Sequence, residues 1–293
     1  MRVIFDRSAF HGNRFRALTN SPLRVLVAKN RISVYHTQIF LDETIAAYGS
    51  KKKPNPWQDH LAFAVDICNG GIFQDKEHIW NEELGHGKGP CASYLLANND
   101  YGDHDSLPVV LNQLRELAHT GDAELLFAET RAEREETAKK KQNQRKIALG
   151  ARQEVAFALK EKRITGRLDQ YLFPEFKEAT YTLAGESLMS LVKGRPPDYL
   201  AYRWARDPAI YPYYSAFIEG MVYSWYLASA KHNSPVDKND QADYEQLAYL
   251  LWADVFVSND ANFLRSAFKE IWAPRGKRLE TAESFVALLD AMV

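Results

Sequence analysis

Short apolar runs and helical patterns alternate at the start of the chain. Residues 2–5 read RVIF and residues 31–36 read RISVYH, and both are rich in the β-branched and aromatic residues typical of strands. Pro22 begins the segment PLRVLVAK, which predicts a helix, and Thr37 begins a second predicted helix that ends near Gly49. A strand, a helix and a second strand at this spacing favour a parallel sheet.

The same alternation returns near the end of the chain. The pattern predicts a helix at residues 243–252, a strand at 255–258 (VFVS), a helix at 259–270, a last strand at 271–274 (IWAP) and an amphipathic helix at 279–292. Both ends therefore have an α/β pattern. We expect residues 1–50 and 207–293 to form one discontinuous α/β core around a central parallel sheet.

Residues 51–206 carry few strand signals and many helical ones, and they predict a mostly helical insertion. Within it, residues 122–162 are rich in Ala, Glu, Lys and Arg and predict a long helix. Its centre, residues 139–146, reads KKKQNQRK. This charge run has two interpretations, a solvated helix face with Glu and Lys pairs or a patch that contacts phosphates.

An Asp-Pro pair marks the start of another helix near the end of the insertion. Asp207 and Pro208 are suited to the cap and to the first position of a helix. The residues that follow include seven large apolar or aromatic side chains, which core packing explains: Tyr213, Tyr214, Phe217, Met221, Tyr223, Trp225 and Tyr226.

Two acids follow predicted strands directly. Asp6 comes after RVIF, and Asp260 comes after VFVS with one residue between. Ligands of open α/β sheets bind at the carboxyl ends of the strands, so both acids are candidates for a site there. The alternative for each is an ordinary helix cap.

Two further acids lie on the apolar stripes of predicted helices. Glu43 is flanked by Ile39, Phe40, Ala46 and Ala47 at intervals of three and four residues. Asp243 has Leu247, Leu250 and Leu251 on the same helical face. A buried carboxylate needs a basic residue, a proton or a metal, and the alternative to a metal site is a structural ion pair with an arginine.

These segments resemble the PIN domain. The resemblance is carried by RVIFD at residues 2–6, FLDET at residues 40–44 and DYEQLAYLLWADVFVSND at residues 243–260, followed by NFL. The family pattern is an Asp after the first strand, a helical Glu, and a helical Asp about seventeen positions before a Ser/Thr-x-Asp turn. The resemblance covers somewhat over a third of the chain.

The resemblance implies a three-layer α/β/α fold and an endonuclease that cleaves RNA, or less often DNA, to leave a 3′-hydroxyl and a 5′-phosphate. It implies Mg²⁺ or Mn²⁺ as cofactor, and Ser258 as a contact to the metal-binding acids or to the substrate. The acids that match the metal ligands are Asp6, Glu43, Asp243 and Asp260. Hard divalent cations prefer oxygen ligands, and clustered carboxylates tolerate their mutual repulsion when a cation neutralises it.

Neighbouring acids leave the ligand set open at one point. Asp240 lies one turn before Asp243 and is a candidate to share its role. Asp254 stands at the start of the predicted strand, away from its carboxyl end, and we interpret it as structural.

Composition narrows the setting of this chemistry. The chain has 293 residues with 37 basic and 38 acidic side chains, so any nucleic-acid site must be a local patch. Cys68 and Cys91 are too few for a disulfide framework, which favours the cytoplasm, and no apolar run is long enough to predict a membrane segment.

Two other classes of function share these residues. One is a catalytically silent PIN-like binding or scaffold protein, and the other is a metal-dependent phosphatase that acts on small molecules. A role as a toxin or defence effector, a regulatory protein partner and a homo-oligomer are hypotheses that the residues do not distinguish.

Overall fold

A computed structural model describes most of the chain. The described residues are 1–49, 56–85, 89–98, 106–124, 171–190, 198–227, 240–261 and 263–293, with the backbone alone at Asp240 and Phe263. Nearly all of the predicted long helix at residues 122–162 lies outside these ranges. The whole basic segment 139–146 lies outside them as well.

A five-stranded parallel sheet forms the centre of the fold. Its strands are β1 (Arg2–Phe5), β2 (Ser33–His36), β3 (Gly71–Ile72), β4 (Val255–Val257) and β5 (Arg278–Glu280). Their spatial order is β3-β2-β1-β4-β5, and every pair is parallel. The first strand is therefore central, with Val3 in register with Val34 on one side and with Val255 on the other.

Helices surround the sheet. In chain order they are α1 (Asn13–Asn20), α2 (Leu23–Ala28), α3 (Gln38–Ala46), α4 (Trp57–Ile67), α5 (Lys76–Trp80), α6 (Leu107–Thr120), α7 (Phe173–Met189), α8 (Asp198–Arg206), α9 (Pro212–Tyr226), α10 (Asp240–Ala248), α11 (Phe263–Ala267) and α12 (Ala282–Asp290). Short 3₁₀ turns span Arg7–Phe10, Ala47–Gly49, Pro208–Ile210, Tyr249–Leu251 and Ala273–Arg275, and π-helical turns span Asn81–Gly85 and Phe268–Trp272.

Each face of the sheet packs into its own hydrophobic core. Val3 and Phe5 of β1 point into a core built with helices α1 to α4, α6 and α12. Ile4 points the other way, into a core dominated by α7 to α11. Adjacent residues of β1 are fully buried on opposite faces, as expected for a parallel strand covered on both sides. The predicted α/β class with a central parallel sheet is confirmed, and its layers are helix, sheet and helix.

The last strand lies seven residues later than the sequence suggested. The prediction of a strand at residues 271–274 is wrong, because these residues belong to a π-helical turn and a 3₁₀ turn. Phe268, Ile271 and Trp272 are buried at helical spacing, which places their apolar side chains on one helical face. The actual strand, β5, is an edge strand with a charged residue at each end, so it lacked an apolar run.

The described part of residues 51–206 is mainly helical, but it also contributes to the sheet. Strand β3 pairs with β2 at the sheet edge, and Trp57 and Leu61 of α4 belong to the same core as β1. The division into a core of residues 1–50 and 207–293 and an insertion of residues 51–206 stays a prediction.

The helix start predicted at Asp207 holds for a single turn. The Asp207 side chain caps the 3₁₀ turn at Pro208–Ile210, and Pro212 then starts α9. Most of the aromatic side chains of α9 are buried, which confirms their interpretation as core residues. None of the helices in the described segments combines the length and apolar composition needed to cross a bilayer.

Candidate functional site

Asp6 lies at the carboxyl end of the central strand. Its backbone N–H donates to the carbonyl of Val257 at 2.9 Å, which extends the pairing of β1 with β4 by one residue. Its own backbone is extended, and its side chain caps the 3₁₀ turn Arg7–Phe10 by accepting from Ser8 N at 3.1 Å. The helix-cap role that the sequence allowed for Asp6 is therefore present.

The same side chain also binds two hydroxyl groups. Ser8 Oγ and Ser258 Oγ both donate to Asp6 Oδ2, the latter at 2.9 Å, and the two hydroxyl oxygens lie 3.1 Å apart. Together with the bond from Ser8 N, Asp6 accepts three hydrogen bonds, and all three reach Oδ2. No residue of the described segments donates to Oδ1, and Asp6 retains 8% of its exposure. The carboxylate is thus held in one orientation by uncharged donors while Oδ1 has no such restraint.

The turn after β4 joins this network from the other side. Ser258 is fully buried, and its Oγ accepts from Asp260 N at 3.0 Å while donating to Asp6. Such a side-chain turn fixes the backbone of the residue two positions on. Ser8 Oγ accepts from Asn259 N at 2.9 Å, so both loops share their hydroxyls. Asp6 and the Ser258–Asp260 turn therefore form one connected unit at the carboxyl edge of the sheet.

Helix α10 crosses the end of the central strand. Gln246, which is 2% exposed, donates from Nε2 to the carbonyl of Phe5 at 3.0 Å. Asp243 lies three residues before Gln246, on the same side of the helix, and is half-buried. This places Asp243 on the side of α10 that faces the region of Asp6. The side chain of Asp240, at the first position of the helix, lies outside the described residues.

Glu43 lies on the second turn of α3, the helix that begins directly after β2. Phe40, one turn earlier, packs edge-on against Phe10 of the 3₁₀ turn with ring centroids 5.2 Å apart. Glu43 itself is half-buried. Helix α3 thus starts at the edge that holds Asp6.

Among the described side chains, no three acids, imidazoles or thiols lie close enough together to hold a metal ion. The hydrogen-bond network links Asp6 to the backbone of Asp260, and the convergence of Glu43 and Asp243 with them stays a prediction.

Asp254 lies at the opposite edge of the sheet, and its structural interpretation is confirmed. It accepts from Arg2 N at 2.9 Å and from the Arg2 guanidinium, with a shortest distance of 2.8 Å. The hydrogen bonds from Arg2 hold the pKa of Asp254 below its usual range.

Several polar residues of the site were not anticipated from the sequence. Asn259 Nδ2 donates to Glu283 Oε2 at 2.8 Å, and Asn259 Oδ1 accepts from Ala282 N at 3.0 Å, so the turn is fastened to the start of α12. Arg14 Nε donates to the other oxygen of Glu283 at 3.1 Å. The bond from Asn259 is the main cause that lowers the pKa of Glu283 to about 2.

Comparison with known proteins adds no further identification. No protein-family model, curated protein or solved structure matches the chain. The assignment of a function therefore depends on the site and on the sequence motifs that form it.

Proposed function

We propose that this chain is a nuclease of the PIN type that requires Mg²⁺ or Mn²⁺ and hydrolyses phosphodiester bonds of RNA, with DNA as the alternative substrate. The observation that carries the proposal is the Asp6–Ser258–Asp260 network at the carboxyl edge of the parallel sheet. That edge is where open α/β sheets bind their ligands.

The donors at this edge are of the type that a hard divalent cation prefers. Asp6 is buried but receives its hydrogen bonds from two hydroxyls and one amide, not from a basic side chain in the described segments. A structural carboxylate is more often neutralised by an arginine, as Asp254 is at the other edge. Oδ1 of Asp6 and the side chains of Asp260, Asp243 and Glu43 would hold the cation, since such ions take carboxylate oxygens.

The roles of the protein groups follow from their contacts. Ser8 and Ser258 hold the Asp6 carboxylate in one rotamer, so that it is oriented before any ligand arrives. The Ser258 hydroxyl also fixes the backbone of Asp260 and thereby the position from which the Asp260 side chain extends. When bound, Mg²⁺ or Mn²⁺ supplies activation of water and charge stabilisation on the phosphate.

The test is product analysis with RNA, DNA and a simple phosphate ester, each with chelator and then with added Mn²⁺. We expect cation-dependent cleavage of RNA into fragments with 5′-phosphate ends. Asp260→Asn should lower the rate by at least about a hundredfold, because cation catalysis contributes several kcal/mol.

Asp254→Asn provides the matched control, since it makes the same chemical change at the opposite edge of the sheet. It should leave cleavage at the wild-type rate. Hydrolysis of the simple ester without cleavage of RNA or DNA would show that the protein is a phosphatase and not a nuclease. Binding of RNA with no cleavage under any cation would favour a catalytically silent protein.

A further inference from the structure

Three basic residues come from segments at the carboxyl edge of the sheet. Arg7 is the first residue of the 3₁₀ turn after β1, and His11 is the residue that ends this turn. His60 lies in the first turn of α4, the helix that precedes β3. A helix that leads into a parallel strand runs opposite to the strands, so its first turn lies at the carboxyl edge. All three residues therefore come from the edge that carries the candidate site.

His60 is a buried polar residue whose polar contacts are incomplete. It is 4% exposed and packs against the rings of Phe15 and Phe10, with centroids 4.3 Å and 5.9 Å away. Its Nε2 is buried and has no hydrogen-bond partner among the described residues. Buried polar atoms of native proteins are nearly always hydrogen-bonded, so this nitrogen has the capacity for one further hydrogen bond, to a water or to a ligand.

Two basic side chains act electrostatically on His60. Burial is the largest cause and the charges of Arg7 and His11 are the next, and together they lower the pKa of His60 to about 4. The three groups differ in depth, since His11 is exposed, Arg7 is half-buried and His60 is buried. Arg7 and His11 thus act on His60 from positions nearer the surface.

We infer that Arg7, His11 and His60 form a binding site for a phosphate group. An anion there would offset the repulsion between the basic groups and would accept charge-assisted hydrogen bonds from Arg7 and His11. Buried Nε2 of His60 would gain its hydrogen-bond partner when the anion or a water held by it occupies this site.

In the proposed nuclease, this site takes a backbone phosphate of the nucleic acid next to the bond that is cut, a role that rests on the proposed function. The binding of phosphate itself does not depend on that function, because it needs neither a cation nor cleavage.

The experiment titrates the whole protein with inorganic phosphate in the presence of chelator, with sodium chloride adjusted to keep ionic strength constant. The readout is the NMR signals of the histidine rings, with exposed His119 as an internal reference. We expect phosphate to shift the His60 and His11 signals in a saturable manner and to leave His119 unmoved.

Arg7→Gln should weaken phosphate binding about tenfold, as expected for the loss of a charged hydrogen-bond donor. Arg16→Gln removes an exposed arginine of the adjoining helix and should leave the affinity unchanged. His11→Gln, at an exposed position where folding is not at risk, should also weaken binding.

An unmoved His60 signal in the wild type would overturn the inference, as would equal affinities of the wild type and Arg7→Gln. The outcome is separable from that of the nuclease assay. Saturable phosphate binding together with absent cleavage would keep this site and reject the proposed function.

Discussion

The two oxygens of the Asp6 carboxylate have different surroundings. Oδ2 accepts three hydrogen bonds, and Oδ1 accepts none from the described residues. Holding a carboxylate by one oxygen reduces the entropy that it loses when the other oxygen binds a ligand. The serines therefore act as a support for Asp6.

Asp6→Asn tests whether the charge of Asp6 serves the fold or a ligand. Asparagine is as good a helix cap as aspartate, and its carbonyl oxygen can accept the same bonds from Ser8 and Ser258. In chelator we expect the unfolding free energy to stay within about 1 kcal/mol of the wild type. The measurement is urea denaturation in chelator and again with Mn²⁺.

The stabilisation by Mn²⁺ should be smaller in this variant, because ligand-linked stabilisation depends on the affinity of the native state. Asp6→Ala, which loses the bonds as well as the charge, should cost about 1–3 kcal/mol in chelator. Equal Mn²⁺ stabilisation of the wild type and Asp6→Asn would exclude Asp6 as a cation ligand.

The sequence located Asp6 and Ser258 but not their supports. An acid after a buried strand can be recognised from local pattern alone. The role of Ser8 depends on contacts with Ser258 and Asn259, which lie about 250 positions away in the chain. Local pattern carries no information on such contacts, although a Ser two residues after a capping Asp is a common turn residue.

The turn after β4 is an element whose position is set from three sides. Ser258 ties it to β1, the backbone of Asn259 ties it to the 3₁₀ turn, and the Asn259 side chain ties it to α12. The last of these attachments can be removed without touching either acid.

Asn259→Ala should reduce cleavage more than it reduces stability. It removes the bonds to Glu283 and Ala282, which are near the surface, so we expect a loss of about 1 kcal/mol in unfolding free energy. Displacement of Asp260 should lower the cleavage rate by about tenfold to a hundredfold, because small misplacements are costly in catalysis. Urea denaturation and single-turnover cleavage measure the two effects.

Arg14→Gln is the companion variant, since Arg14 contacts Glu283 but not the turn. It breaks an exposed ion pair and should change both quantities little. A cleavage rate for Asn259→Ala equal to that of the wild type would show that the link to α12 does not position Asp260.

Strand prediction succeeded for the strands rich in apolar, β-branched and aromatic residues. β1, β2 and β4 carry apolar runs and were located from them, whereas β3 has two residues and β5 is an edge strand. β3 follows Asn69 and Gly70, a turn signal that gives no hint of a strand. Edge strands bury less, so hydrophobic pattern specifies them weakly.

At the scale of the whole molecule, a buried histidine links stability to pH. His36 is 1% exposed, donates from Nε2 to the carbonyl of Ala64 at 2.8 Å and stacks on Phe40. Burial lowers the pKa of His36 to about 4. In the unfolded chain this histidine has an ordinary pKa near 6.5. Between about pH 4 and about pH 6.5 it is therefore protonated in the unfolded chain and neutral in the folded protein.

Stability from neutral His36 is therefore complete above about pH 6.5 and is lost as the pH falls toward 4. The expected loss between about pH 7 and about pH 5 is ~2 kcal/mol for this residue. Burial raises the pKa of Glu83 to about 7, which acts in the opposite direction over part of the same range. The contribution of His36 is therefore measured as the difference in pH-dependent stability between the wild type and a variant that lacks this histidine.

His36→Gln keeps a donor for Ala64 and removes the titrating group, so its stability should fall less between these two pH values than that of the wild type. His119→Gln, at an exposed position, should retain the wild-type slope. Guanidinium denaturation at the two pH values measures both. An unchanged slope in His36→Gln would show that His36 is not the group that titrates.

The central position of β1 also has a consequence for the timing of activity. β1 lies between β2, about thirty residues away in the chain, and β4, which is synthesised some 250 residues later. At about 5–20 residues per second, a growing chain carries Asp6 for tens of seconds before Ser258 exists. Every shorter chain lacks Ser258 and Asp260, so under the proposed function a nascent chain would be inactive until both residues have been added.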